Sequence, residues 1–153
     1  MAAGYSRRPL AQKLGIKQGQ ALMVLNPPVG YEDALGELPP GTSLTSKPKG
    51  GADLVHFFAT RATVLDAEFP GLSERVKPGG AIWVSWPKAS SKLPSDLTDR
   101  VVRDIGLKNG FVDVKVCAVD ETWSGLKFVR RKVDAHARIE DAPQGAKNGF
   151  KPG

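Results

Sequence analysis

The chain has 153 residues, the size of one domain with a single core. Its 17 glycines and 12 prolines exceed the usual share but stop short of a low-complexity chain. One cysteine excludes a disulfide framework and a cysteine metal cluster, and no apolar run approaches the length of a membrane helix. The formal charge is +6, and it is uneven. Residues 1–20 carry +4, residues 127–153 carry +4, and the stretch between them carries −2. Basic ends of this kind act as solubilising tails, and they can also hold phosphate weakly and without sequence preference.

Ser6-Arg7-Arg8 has the look of a twin-arginine export signal, but the polar residues after it lack the apolar stretch such a signal needs. No signal, no disulfide and one free thiol together point to the cytoplasm. Ser6 to Leu14 reads as a short helix with Pro9 in its first turn and Gly15 as its stop. Ala21 to Leu25 is a continuous apolar run, the signature of a strand buried on both faces, and Asn26-Pro27-Pro28 ends it. Residues 30–40 form a short irregular or helical piece. Thr42 to Ser46 is a weak edge strand, followed by a turn at Lys47-Pro48-Lys49-Gly50-Gly51. Asp53 to Ala59 is a second buried strand.

A helix capped by Thr60 follows, with Leu65, Phe69, Leu72 and Val76 on its apolar side. Pro70-Gly71 falls inside it and predicts a kink or a break. Lys77 to Gly80 turns, and Ala81 to Trp86 is a third strand stopped by Pro87. Residues 88–95 form a polar loop. Ser95 or Asp96 caps a helix bearing Leu97, Val101 and Ile105, which Asn109-Gly110 ends. Phe111 to Val119 alternates, with Val112, Val114, Val116 and Ala118 on one face. Asp120 to Gly125 turns, and Leu126 to Arg131 returns antiparallel. Beyond residue 132 the apolar pattern fails, so residues 1–132 form the domain and 133–153 a disordered basic tail.

Strands alternating with helices give a parallel sheet with right-handed crossovers. The expected fold is a small α/β, Rossmann-like sheet of order 2-1-3-4-6-5 with its last strand antiparallel. Asp-Leu-Val-His-Phe-Phe, Lys-Pro-Gly-Gly-Ala-Ile-Trp-Val and the final hairpin resemble the second half of class I S-adenosylmethionine-dependent methyltransferases, over residues 52–131. Residues 4–131 are also similar to an uncharacterised bacterial family catalogued as domain of unknown function 3052. Pro-Leu-Ala-Gln-Lys-Leu-Gly-Ile-Lys, Trp-Val-Ser-Trp-Pro-Lys and Val-Asp-Glu-Thr-Trp-Ser-Gly-Leu-Lys carry that likeness.

The methyltransferase resemblance implies a glycine-rich turn after the first strand and a ribose-binding acid closing the second. Here the first strand runs into Asn26-Pro27-Pro28-Val29-Gly30, and the second ends at Ser46-Lys47 without an acid. Both departures predict that S-adenosylmethionine is not bound and that the chain needs no cofactor. Amino-methyltransferases carry Asn/Asp-Pro-Pro-aromatic after a strand. In this chain Val29 holds the aromatic position, Tyr31 comes two residues later, and a strand-ending turn is the favoured reading. His56 reads as a hydrogen-bonded core histidine and Cys117 as a small buried hydrophobe.

Ligands of open α/β sheets bind outside the carboxyl ends of the strands. Asn26, Thr60, Trp86 and Lys88 belong there, and the last turn adds Asp120, Glu121 and Trp123. Two indoles, two acids, a lysine and an amide would line one crevice for a flat small molecule. No spacing specifies a metal. The reading is a non-catalytic small-ligand-binding or regulatory module, which touches no membrane. The alternatives are a methyltransferase with a non-standard S-adenosylmethionine site, or a protein held to nucleic acid by its basic ends.

Overall fold

Three apolar strands sit at the centre of the sheet because their side chains are buried on both faces. A computed structural model describes residues 8–47 and 50–132. In chain order they form α1 (Leu10–Leu14), β1 (Ala21–Leu25), α2 (Tyr31–Leu35), β2 (Ser43–Leu44), β3 (Ala52–Phe58), α3 (Ala62–Arg75), β4 (Val76–Pro87), α4 (Asp99–Lys108), β5 (Phe111–Ala118) and β6 (Trp123–Arg130). The six strands make one sheet of order β2-β1-β3-β4-β6-β5. The first four pair parallel, and β6 pairs antiparallel with both β4 and β5. This is the expected Rossmann-like order. The expected tail, residues 133–153, and the twin-arginine stretch through Arg7 lie outside the described residues, as do Pro48 and Lys49 of the expected turn.

Successive residues of each central strand serve opposite cores. Val55 and Phe57 of β3, with Ile82, Val84 and Trp86 of β4, pack under α3 and α4. Leu54 and Phe58, with Ala81 and Trp83, pack under α1 and α2. Trp83 is fully buried, and its indole N–H donates to the Leu14 carbonyl at 3.0 Å, tying α1 to the middle of the sheet. On the other face α4 comes very close to β6. A Cβ on Gly106 would lie 2.2 Å from the Phe128 ring, so no larger residue fits there without movement.

Several local expectations need correction. α3 runs unbroken through Pro70. Pro70 and Asp66, whose carbonyl loses the helical partner, are both on the exposed side, where water can replace the bond. Thr60 does not cap α3. Instead Asp96 reaches from the following loop and accepts the Ala62 N–H at 2.7 Å, while Thr98 caps α4 by accepting from Val101. The Lys77–Gly80 turn survives as a bulge within β4, between the Ala52–Val76 and Leu54–Ala81 pairs. β5 does not alternate cleanly. Its register shifts between Asp113 and Lys115, and Val114 and Val116 stand 54% and 62% exposed. β6 begins at Trp123, three residues before the expected Leu126.

Candidate functional site

The chain leaves β1 toward β2 on one side and returns to β3 on the other, so the sheet reverses direction between β1 and β3. A crevice is expected at the carboxyl ends of such a pair. Two prolines stop β1 and shape the turn there. Asn26 precedes Pro27 and is therefore barred from the right-handed helical region. It takes φ 58 instead, a left-handed conformation that asparagine tolerates better than most residues. Its side-chain amide donates to the Phe58 carbonyl at 3.4 Å and so ties the end of β1 to the end of β3.

Beside that tie lies a pocket of about 230 Å³ lined by Asn26, Phe58, Ala59, Thr60, Val64 and Trp123. Trp123 meets Phe58 edge to face, with ring centroids 5.1 Å apart. No charged side chain lines this pocket. Three of the seven expected residues, Asn26, Thr60 and Trp123, are thus brought together.

The other four are placed differently. Trp86 points to the opposite face and is 5% exposed, packed in the core under α3 and α4. Strand alternation decides this, since Trp86 follows Val84 in phase. Lys88 donates its backbone N–H to the Thr122 carbonyl at 2.8 Å, closing the end of β4 against the last turn. With Trp86 it lines a separate depression on the α4 side, of about 490 Å³. Asp120 shapes its own turn, one carboxylate oxygen accepting the Thr122 and Trp123 amides at 2.8 Å each. Glu121 is exposed at the tip of that turn.

A larger cleft, about 520 Å³, opens on the other side of the Pro27-Pro28 turn, at the carboxyl ends of β1 and β2. Its polar lining is Glu32 and Asp33 from α2 and Thr45 and Ser46 after β2, and its apolar lining includes Pro28 and Leu44. No acid closes β2; the acids of this cleft come from the helix after β1. The signal in the sequence was Gly30-Tyr31-Glu32-Asp33. Gly30 adopts φ 87 and turns the chain out of the prolines into α2.

Tyr31 anchors that helix. Its hydroxyl oxygen lies 2.8 Å from His56 Nδ1, and His56 Nε2 lies 2.7 Å from the Ser85 hydroxyl. His56 is fully buried, stacks on Phe58 and has both ring nitrogens satisfied. Burial pushes its pKa down to about 3 and pushes that of the Tyr31 hydroxyl up. The line Tyr31–His56–Ser85 therefore fixes α2 against the centre of the sheet, with Glu32 and Asp33 on its exposed side. Cys117 is half-buried, and burial raises its thiol against the pull of Lys13. Among the described residues no three His, Cys, Asp or Glu side chains converge as a metal site requires. No described helix is long and apolar enough to cross a membrane.

No protein-family model matches the chain, and no curated protein does. Solved structures do. An S-adenosylmethionine-dependent methyltransferase from Aquifex aeolicus has a TM-score of 0.57 at 12% identity, covering 82% of this chain and 89% of its own. The ribosomal protein L11 methylase of Lactobacillus delbrueckii subsp. bulgaricus scores 0.51 at 13%, covering 80% and 76%. The magnesium protoporphyrin IX methyltransferase of Synechocystis PCC 6803, solved with bound S-adenosylmethionine, scores 0.51 at 12%, covering 79% and 74%. At such identities the likeness is one of fold, and the fold is methyltransferase-like.

These neighbours correct two expectations: a non-catalytic module, and the absence of S-adenosylmethionine. The three named chains that share this sheet are methyltransferases, and one carries that cofactor. The Asn26–Gly30 turn and the carboxylates of Glu32 and Asp33 border the cleft at the same end of the sheet.

Proposed function

We propose that the chain is an S-adenosylmethionine-dependent methyltransferase with a non-standard cofactor cleft. The observation that carries the reading is the cleft at the carboxyl ends of β1 and β2, with two carboxylates and two hydroxyls beside an apolar wall. Its volume of about 520 Å³ falls in the range of ~300–1,000 Å³ typical of small-ligand sites. The donor set fits the cofactor. Carboxylates accept from ribose hydroxyls and attract a cationic ligand, Thr45 and Ser46 offer further hydrogen bonds, and Pro28 and Leu44 suit the flat face of a base.

When bound, the cofactor supplies an electrophilic methyl group on a sulfonium. The chain's own residues hold and orient. The buried Tyr31–His56–Ser85 line holds α2, so the backbone that carries the exposed Glu32 and Asp33 is set before a ligand arrives. The pocket of Asn26, Thr60 and Trp123 lies across the Pro27-Pro28 turn and is read as the acceptor side. The Asn26 side-chain carbonyl and the Thr60 hydroxyl can accept a proton-bearing group, and Trp123 offers a ring face to a flat acceptor.

Calorimetric titration with S-adenosylmethionine tests this. We expect micromolar binding, weakened roughly 150-fold in Glu32→Gln/Asp33→Asn, as the loss of two charge-assisted hydrogen bonds of ~1.5 kcal/mol each implies. No heat at millimolar ligand overturns the reading.

A further inference from the structure

We propose that the α1-side face of β5 and β6 binds the phosphodiester backbone of a single-stranded nucleic acid, with Lys17, Lys115 and Lys127 as its phosphate contacts. This surface is distinct from the cofactor cleft, and the inference does not depend on methyl transfer.

Lys115 and Lys127 are direct partners in the antiparallel register of β5 and β6. Like charges placed opposite each other weaken a sheet, where an opposite-charge pair would strengthen it. Lys17, in the loop between α1 and β1, adds to the same charge. Lys127 reaches toward that region, its Nζ only 3.8 Å from where a Cβ on Gly15 would stand. Beneath them lies Lys13, 2% exposed, whose ammonium donates to the Ala118 and Val119 carbonyls at 3.2 and 3.3 Å. The repulsion is felt. The Lys127 ammonium is held below the usual range by burial first, and then by Lys115 and Lys17.

Asp120 acts on the buried Lys13, but among the described residues no carboxylate pairs with the exposed lysines. The ion pairs Lys77–Asp53, Arg103–Asp113 and Lys108–Asp66 all lie elsewhere. Asp113 is the acid of β5, and it turns to the opposite face to meet Arg103 of α4. Lys17, Lys115 and Lys127 have no ion-pair partner among the described residues. Among the described residues the sheet therefore carries a cationic stripe without paired acids, and an external polyanion is the partner that relieves it.

Two observations select a nucleic acid strand over a lipid surface. The side chains in register beside the lysines are Cys117, Gly125, Val112 and Val129, which are half-buried or buried, and the exposed Val114 and Val116 beside Lys115 are too small to anchor the face in a bilayer. Along β6 the same face continues from Lys127 past Gly125 to Trp123, whose indole borders the switch-point pocket. A track of cations ending at an aromatic ring suits a strand whose phosphates follow the charge and whose base stacks.

Fluorescence anisotropy of a labelled oligothymidylate of about 20 nucleotides, titrated with the full chain over a salt series, tests this. We expect binding that falls steeply with salt. Lys115→Gln/Lys127→Gln should bind about 10-fold more weakly or worse at low salt, with the salt slope shallower by about 1–2. Its melting temperature should equal or exceed that of the unaltered chain, because the variant removes a repulsion. A lowered melting temperature would mean that the lysines serve the fold. Lys147→Gln/Lys151→Gln, nearer the chain end, should change affinity less than about threefold. The proposal is overturned if the unaltered chain does not bind at low salt, or if the Lys115/Lys127 variant binds as well as it does. It is equally overturned if only the Lys147/Lys151 variant loses binding, or if phosphatidylserine vesicles are bound in place of the oligonucleotide. Because Lys115 and Lys127 lie outside the cofactor cleft, S-adenosylmethionine titration of the same variant should be unchanged, so each reading fails by its own measurement.

Discussion

Two buried or strained residues set the character of the site, and each makes a separate prediction. His56 is neutral in the folded chain, with its pKa near 3 against 6.5 for a free side chain. Between those values the unfolded chain binds a proton that the folded chain refuses. Stability from this group is therefore complete above about pH 6.5 and is lost as pH falls, by at most ~1.4 kcal/mol per pH unit. Denaturant unfolding at pH 7 and pH 5 should show that loss in the unaltered chain, and His56→Phe should flatten the difference while costing stability at both pH values. Equal pH slopes would show that His56 is protonated in the fold. Asn26 was legible as a turn residue, but its left-handed backbone and its tie to Phe58 were not, because a single sequence does not tell which strand will stand beside it. Asn26→Gly removes the side chain and suits φ 58, so it should leave stability within about 0.5 kcal/mol while impairing ligand binding. Asn26→Ala should lose about 1 kcal/mol more, because alanine is strained where glycine is not. If the two variants unfold alike, the backbone at Asn26 carries no strain.

Elements were legible where burial alone dictates them. Ala21–Leu25 and Asp53–Ala59 match β1 and β3 to within one residue, and Ala81–Trp86 is the second half of β4, because an unbroken apolar run has few other homes. Capping was misread, because it depends on which loop passes by. Asp96 looks like a cap for the helix that follows it, yet it serves α3, which lies 34 residues back along the chain. The β5 alternation failed for a similar reason. A bulge leaves no mark in the pattern Val112, Val114, Val116, and here it turns Asp113 to Arg103 and leaves Lys115 facing Lys127. Packing between elements is tightest where α4 crosses β6. Gly106→Ala would push a methyl group into the Phe128 ring, and the shift needed should cost about 1–3 kcal/mol in urea unfolding. A neutral substitution would mean that α4 can slide, and that the absence of a side chain at 106 is incidental.

At the scale of the whole molecule, strand order was readable because the connections leave few alternatives. Helical segments between parallel strands fix handedness, and a short turn fixes the last hairpin. The site was only partly readable from the same order. Topology put seven residues at one end of the sheet, but it does not say which face each serves, and Trp86 and Trp123 separate on that ground. The acidic cleft was not legible because an acid is expected at the end of β2, whereas the turn after β1 delivers two from the neighbouring helix. That cleft supports a prediction about the folded state as a unit. A ligand that binds only the native chain stabilises it by about 2.7 kcal/mol at a hundred times its dissociation constant. Saturating S-adenosylmethionine should therefore raise the melting temperature of the full chain by several degrees, at roughly 2–8 °C per kcal/mol. Glu32 and Asp33 are exposed on α2, so Glu32→Gln/Asp33→Asn should melt close to the unaltered chain without ligand and shift much less with it. Lys115→Gln/Lys127→Gln should shift as fully as the unaltered chain. A melting temperature that the cofactor leaves unmoved in all three proteins would withdraw S-adenosylmethionine from this cleft and leave the methyltransferase likeness as one of fold alone.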